Sequence, residues 1–127
     1  MTAEKPYREP AIRVVLLPKD TNRHGTIFGG IILSYIDLAG SVEAAKNTRQ
    51  RIVTVAIKEV VFKEPVMVGE VVSFYSRTTR IGRTSISVHV DVEAMREGHR
   101  EVHVTSADLT FVCVDNEGRP TEVVPIS

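Results

Sequence analysis

FGGIILSYIDLAGSVEAAK, the stretch from Phe28 to Lys46, decides the fold. Its large residues recur at intervals of three and four positions, which predicts one side of an α-helix. We expect this side to face a core, and its members are Phe28, Ile31, Ile32, Tyr35, Leu38, Ala39, Val42 and Ala45. The other side is made mostly of small residues, which allow another backbone or a slim ligand to approach. Those residues are Gly30, Leu33, Ser34, Asp37, Gly40, Ser41 and Ala44.

Runs rich in β-forming residues lie on both sides of this helix in the sequence. They are Ala11 to Leu17 before it and, after it, Ile52 to Phe62, Val71 to Arg80, Thr84 to Ala94 and Glu101 to Val114. Alternation of polar and apolar residues from Ser85 to Ala94 predicts a sheet with one buried face. In the last run the apolar phase shifts, which predicts a β-bulge near Thr105 or Ser106.

Together these elements predict an α+β fold, in which a curved antiparallel β-sheet wraps around one long central α-helix. The 127 residues fall in the size range of one domain and no Pro/Gly/Ser-rich stretch divides them, so we expect a single domain over residues 1–127. Such a sheet covers only part of a helix this apolar. A second copy of the chain would hide the remainder, so dimerisation is expected.

Bulk composition excludes several classes of partner. Lys plus Arg and Asp plus Glu number 16 each, so no overall field gathers nucleic acid or an anionic membrane, and neither partner is expected. The polar N-terminus and the lack of a long apolar stretch predict a soluble, cytoplasmic protein. The one cysteine, Cys113, excludes an intrachain disulfide and is expected to be a buried thiol in a reducing compartment.

The start of the helix is the first candidate site. A helix N-terminus carries unpaired N–H groups and a partial positive charge, and the Gly29-Gly30 pair would let a substrate atom approach them. Such donors stabilise the oxyanion that forms when a thioester is attacked. Phe28 and His24 are assigned to the same substrate site. The alternatives are a flexible start of the helix and, for His24, simple exposure in a loop.

Asp37 is the candidate catalytic group, because burying a carboxylate on an apolar helix is costly without partners or a task. If its side of the helix faces a dimer cleft, Asp37 could act as general base towards water or attack the thioester directly. The alternative is a solvated aspartate. The Asn22 amide could orient the water or bond the acyl carbonyl, although loop asparagines are more often turn formers.

Two further clusters are considered for binding, one for a nucleotide and one for a metal ion. Arg77 and the group Arg80, Gly82, Arg83, Thr84 and Ser85 surround a predicted hairpin and could meet the phosphates of a nucleotide tail. A solvated strand edge explains them equally well. His99 and His103 have the spacing of a helical metal site, but they fall on a predicted hairpin and strand, where four residues span about 13 Å. No metal site is expected.

Segments along nearly the whole chain resemble one family. These are DTNRHGTIFGGIILSYIDLAG (Asp20 to Gly40), VTVAIKEVVFKEPVMVGEVVSFY (Val53 to Tyr75), RIGRTSISVHVDV (Arg80 to Val92) and ADLTFVCVDNEGRP (Ala107 to Pro120). They are similar to the YciA-type acyl-CoA thioesterases, the hot-dog group that includes the cytosolic acyl-CoA hydrolases.

The resemblance implies hydrolysis of an acyl-CoA to a free acid and CoA, with no cofactor other than the CoA of the substrate. It implies a dimer, often three dimers in a hexamer. By position, Asp37 matches the family's catalytic carboxylate, and Asn22 matches an asparagine that usually reaches it from the other subunit. Gly29 and Gly30 match the helix-start glycines. Gly82 to Ser85 match a turn against the CoA nucleotide, and Arg80 falls where relatives often carry a basic residue.

Two competing interpretations remain at this point. A hydroxyacyl dehydratase of the same fold would need a histidine on the central helix, and Phe28 to Lys46 contains none. A non-catalytic acyl-CoA-binding or regulatory module would keep the cleft and Arg80 and Arg83 but would have no need of Asp37. Acyl specificity stays open.

Overall fold

The computed structural model describes residues 8–97 and 100–126. The elements are β1 (Ile12–Val15), a short 3-10 turn (Pro18–Asp20), α1 (Gly29–Ala44), β2 (Arg51–Lys58), β3 (Val71–Ile81), β4 (Ser85–Arg96) and β5 (Arg100–Val114). The strands form one sheet in the order β1-β3-β4-β5-β2, and every neighbouring pair is antiparallel. This is the predicted α+β arrangement.

The sheet is curved by bulges that add one residue to a strand. In β5 the extra residue is Val104, because Thr105 lies opposite Val92 while His103 lies opposite Glu93. This is next to the position that the phase shift predicts, and both Val104 and Thr105 are buried. Register shifts also occur in β2 after Thr54 and in β3 after Thr78. The sheet can therefore curl around α1.

The second strand is shorter than the sequence predicts. It ends at Lys58 rather than at Phe62, because Glu59 has a φ of 58°, a left-handed conformation that no strand residue adopts. The chain then leaves the sheet. In the sheet β2 pairs only with β5, so it is an edge strand, and Val53 and Val55 on it are exposed.

The buried side of α1 differs from the predicted one. Its buried residues are Ile32, Ile36, Ala39, Gly40 and Ala44. Phe28, Leu38 and Val42, which were predicted to be core, are 50%, 53% and 40% exposed. The sheet packs where the helix is slim: a Cβ built on Gly40 would lie 2.9 Å from Leu109 Cδ2. The small residue at position 40 thus serves close packing against β5 and does not face a ligand.

The predicted core thiol is confirmed, since Cys113 is fully buried and free, and burial raises the pKa of its thiol. Residues 8–97 and 100–126 include no helix long and apolar enough to cross a membrane. The exposed apolar side chains of this region are Phe28 just before α1, Leu38 and Val42 on α1, and Val53 and Val55 on β2, which Thr54 joins to α1 through its bond to Asp37. This surface, called the α1/β2 face below, is where a second copy is expected.

Candidate active site

The first turn of α1 has unpaired backbone donors. The Phe28 N–H donates to the Asp20 carbonyl at 2.9 Å, and the Ile31 and Ile32 N–H groups both reach the Phe28 carbonyl. Within the described part of the chain, the N–H groups of Gly29 and Gly30 donate to no protein acceptor. Phe28 occupies the N-cap position, and its side chain offers no oxygen to accept from them. Two donors are therefore free to bind a ligand atom.

The two glycines differ in what surrounds them. A Cβ built on Gly30 would meet no described atom within 4 Å, so a side chain at this position would extend into free space. A Cβ built on Gly29 would lie 3.3 Å from the ring of Phe62. A side chain at position 29 would crowd that ring, whereas position 30 leaves room for an incoming group or chain.

Asp37 lies further along α1 and is held by a residue that the sequence analysis missed. The Thr54 hydroxyl donates to Asp37 Oδ1 at 2.7 Å, and Asp37 is half-buried. Thr54 lies at the β2 bulge, where the register shifts before Ala56. Its one signal in the sequence is a polar residue inside an apolar strand. The bond orients the carboxylate, and its second oxygen, Oδ2, has no hydrogen-bond partner among the described residues.

Asn22 has the turn-forming role that was its alternative interpretation. Its Oδ1 accepts from the His24 and Thr26 N–H groups at 2.9 and 3.2 Å, and its Nδ2 donates to Thr26 Oγ1 at 2.7 Å. These bonds leave one N–H of the amide unused. No hydrogen bond joins Asn22 to Asp37 within the described residues of one chain. His24 is exposed in the same loop.

The hairpin turn from Gly82 to Ser85 lies at the other end of α1. The Gly82 N–H donates to the Ser85 carbonyl, and the Thr84 and Arg83 carbonyls accept from the Cys113 and Val123 N–H groups. Exposed Arg83 forms an ion pair of 3.7 Å with exposed Glu122.

The segment after Glu122 lies beside the residues that follow α1, since the Ile126 N–H donates to the Asn47 carbonyl and Thr48 Oγ1 to the Val124 carbonyl. A helix of 16 residues is about 24 Å long. Within one chain the structure therefore does not bring the Gly82 to Ser85 turn near Gly29. Arg80 is exposed on β3.

The histidines on the sheet form a separate polar cluster. His89 is bonded to Asp108 at 2.9 Å and to Asp91 at 3.0 Å, and the Ser106 hydroxyl donates to Asp91 at 2.6 Å. Burial alone would lower the pKa of His89, but the bonds to the two carboxylates and their charges outweigh it and raise the pKa. His103 is bonded to Ser106 at 2.9 Å.

His99 lies outside the described residues. Among the residues that are described, no group of three His, Cys, Asp or Glu side chains is arranged to hold a metal ion.

Comparison with known proteins identifies the family. The thioesterase superfamily model matches residues 24–108. A hexameric hotdog fold thioesterase of Campylobacter jejuni has a TM-score of 0.87 at 43% identity, with 94% of this chain and 93% of that chain covered. An aspartate-to-alanine mutant of HI0827, a hexameric broad specificity acyl-coenzyme A thioesterase, has a TM-score of 0.86 at 36% identity, with coverage of 91% and 86%. The acyl-CoA thioester hydrolase YciA of Salmonella typhimurium is 35% identical over 119 residues, which are 91% of this chain and 90% of that protein.

The chain belongs to the thioesterase superfamily and has the hotdog fold, so the fold that the resemblance implied is confirmed. Within the superfamily it belongs with the YciA-type acyl-CoA thioester hydrolases. The predicted enzyme class, a thioester hydrolase, is the class of this family.

Proposed function

We propose that this chain hydrolyses acyl-CoA thioesters to a carboxylic acid and CoA, and that it works as a homo-oligomer. The observation that carries the proposal is the 2.7 Å bond from Thr54 to Asp37. It orients a half-buried carboxylate on the uncovered α1/β2 face. The same helix leaves the Gly29 and Gly30 donors free at its start, and these two features are what thioester hydrolysis requires.

The chemistry follows from these groups. Asp37 Oδ2 takes a proton from water as the water oxygen bonds to the thioester carbon, or Asp37 itself attacks that carbon. Negative charge then collects on the carbonyl oxygen, where the Gly29 and Gly30 N–H groups would stabilise it. The carbon–sulfur bond breaks, and the CoA thiolate leaves and is protonated. Atoms balance: thioester and water give acid and thiol.

A second copy completes the site in this proposal. Asp37 is seven residues beyond Gly30, which is about 10 Å along the helix axis, whereas reacting atoms must come within about 3–3.5 Å. Asp37 therefore serves a thioester that is held by the amides of another chain. The free N–H of Asn22 would approach Asp37 from that chain, across the α1/β2 face. Hexameric relatives support assembly beyond a dimer, and we propose a trimer of dimers.

The nucleotide end of CoA would lie at the Gly82 to Ser85 turn. Arg80 and Arg83 are exposed there and can pair with phosphate. Because this turn is at the far end of α1, it would hold a CoA whose thioester lies in a neighbouring copy. His24, exposed in the helix-start loop, is proposed to contact the substrate, as is the half-exposed ring of Phe28. A cytoplasmic location stays an expectation from the sequence.

Asp37→Asn tests the proposal, because it keeps the shape of the side chain and removes its basicity. We expect turnover of acyl-CoA, followed as release of free thiol, to fall by about 10²–10⁴-fold, with CoA binding retained. Asp108→Asn is the matched control, since Asp108 lies on β5 in the His89 cluster, and its turnover should match that of the unchanged protein.

Unchanged turnover in Asp37→Asn would refute the assigned role of Asp37. CoA binding with no turnover in the unchanged protein would refute the enzymatic function itself. That second result would favour the non-catalytic acyl-CoA-binding module.

A further inference from the structure

Thr105 on β5 is a polar residue in a fully buried position, directly after the extra residue of the β5 bulge. We propose that Thr105 is a positioning residue for the reaction. It holds the segment 59–70, which joins β2 to β3, against the start of α1, and in this way it fixes the direction of the Gly29 and Gly30 N–H donors. The inference rests on the proposed thioesterase function and adds a supporting residue to the same site.

The hydroxyl group of Thr105 bonds to a residue outside the sheet. Thr105 Oγ1 lies 2.8 Å from the Val61 carbonyl oxygen, to which it donates, whereas the Ser106 carbonyl is a more distant acceptor at 3.3 Å. A valine would fill the same place without the cost of burying a hydroxyl group. The effect of the shorter bond is to tie Val61 to the bulge.

A second bond ties the same segment to the bulge. The Lys63 N–H donates to the Val104 carbonyl at 2.9 Å. Together with the bond from Thr105, this bond holds the residues on both sides of Phe62. Residues 59–70 belong to no helix or strand, so no ladder of sheet hydrogen bonds fixes them. The two bonds to the bulge therefore set the position of the Phe62 backbone.

Phe62 connects this segment to the start of α1. A Cβ built on Gly29 would lie 3.3 Å from Phe62 Cε2 and 3.4 Å from its Cζ, so the ring lies beside Gly29. Further along the segment, the Val66 carbonyl accepts from the Ile27 N–H at 2.9 Å. The segment thus supports the chain on both sides of Phe28, the N-cap residue of α1.

The placement of the two donors matters because they must meet an oxygen atom that becomes charged only during the reaction. Such donors act from about 2.7–3.1 Å. A displacement of about 1 Å, caused by a change away from the chemistry, can lower a rate on the order of 100-fold. Bulges are common next to active sites for this reason. Here the bulge acts through two contacts, from Thr105 to Val61 and from Phe62 to Gly29.

Thr105→Val tests the proposal, because it removes the hydroxyl group and keeps the shape of the side chain. We expect kcat for acyl-CoA to fall about tenfold and KM to stay within about twofold, since the donors act on the transition state. Thr105→Ser keeps the hydroxyl group and should keep kcat within about twofold of the unchanged protein.

Thr48→Val is the matched control. Thr48 is also buried, and its Oγ1 donates to the Val124 carbonyl in the C-terminal segment at 2.9 Å. Both valine variants lose a buried hydrogen bond, so both should lower the midpoint of urea denaturation. Only Thr105→Val should lower kcat.

A double-mutant cycle tests whether Thr105 acts through Phe62. The ring of Phe62 is 44% exposed, so Phe62→Ala should fold, and loss of the ring beside Gly29 should itself lower kcat. In that background Thr105→Val should cause a further loss of about twofold or less, because residues that act in series are not additive.

Unchanged kcat in Thr105→Val, an equal loss in Thr105→Ser or in Thr48→Val, or losses that multiply in the double variant would each overturn the inference. If Thr105→Val does not fold, Phe62→Ala decides, since unchanged kcat in that variant excludes the route to Gly29. Failure of the proposed function is a different result: the unchanged protein would then hydrolyse no acyl-CoA.

Discussion

The two ends of α1 differ in whether their terminal backbone groups are hydrogen-bonded. At the C-terminal end, Asn47 Nδ2 donates to the Glu43 and Ala44 carbonyls and to Thr78 Oγ1, and the Thr78 hydroxyl donates to Glu43. At the N-terminal end, Gly29 and Gly30 have no acceptor within the described chain. The bonded end holds the helix to the sheet, and the unbonded end is left for a ligand.

The two ends of α1 should contribute to different free energies, one to that of folding and the other to that of the reaction. A hydrogen bond inside a protein contributes about 0.5–1.5 kcal/mol net, so the C-terminal network stabilises the fold. Free N–H groups at the other end contribute nothing until a ligand accepts from them. They are then worth most if the ligand gains negative charge during the reaction. Substitutions at the two ends should therefore separate stability from turnover.

Among the substitutions that compare the two ends, Gly30→Ala at the unbonded end should have the largest effect on turnover. The added methyl group meets no described atom, so the fold should be kept, but the group takes up open space in the same helical turn as the free donors. We expect kcat to fall about 100-fold, or about 2.7 kcal/mol, with little change in the melting temperature. Ser41→Ala, three turns along α1, should keep full activity. An equal loss in that control would contradict a special role for Gly30.

Asn47→Ala at the bonded end should do the reverse. Loss of its bonds to Glu43, Ala44 and Thr78 should lower the free energy of unfolding by about 1–2 kcal/mol. The kcat of the folded protein should not change. Urea denaturation and turnover, measured on the same preparation, check both parts. Asn116→Ala, in an exposed turn, should stay within about 0.5 kcal/mol. A loss of kcat in Asn47→Ala would contradict the prediction that the bonded end affects stability and not turnover.

Arg83→Ala tests whether the turn near the bonded end also binds ligand. Arg83 is highly exposed, so its pairing with phosphate should be weak. We expect KM for acyl-CoA to rise about three- to fivefold, and KM for an acyl-pantetheine, which lacks the nucleotide, to stay the same. Arg119→Ala is the control, because Arg119 is already paired with Asp115 and Glu117 in the turn that follows β5. If KM for acyl-CoA is the same in Arg83→Ala and Arg119→Ala, the turn from Gly82 to Ser85 does not bind the nucleotide of CoA.

Sequence patterns predicted most of the fold, because helix and strand periodicities are local properties. Alternation along β4 gave its buried face, and the phase shift in β5 predicted a bulge next to its true position at Val104. The side of α1 that is buried was predicted less well. A small residue such as Gly40 is compatible with close packing and with ligand approach, and only contact with Leu109 decides between them.

The candidate site was predicted only where its residues are close in sequence. Asp37 and the two glycines share one helix and could be selected together. Thr54 is 17 positions from Asp37, and the bond between them depends on how the bulged strand β2 lies against α1. Phe62 was predicted to end a strand. In the structure the chain leaves the sheet at the left-handed residue Glu59, and the ring of Phe62 lies beside Gly29. Such contacts between separate elements carry no local pattern.

A third region, the polar cluster on the sheet, should affect stability alone and by the smallest amount. The pKa of His89 is raised above 6.5, so its charged form stabilises the fold below that pH and this contribution is lost as pH rises through the raised value. Burial would raise the pKa of Asp91, but its bonds to Ser106 and His89 lower it below 3.8, so its contribution is lost only in stronger acid. The cluster thus contributes most between about pH 4 and 6.5. Because His89 and Asp91 are partly exposed, we expect a decline of less than about 1 kcal/mol towards pH 8. His89→Gln should flatten that decline in denaturant unfolding, and an unchanged slope would exclude His89 as its source.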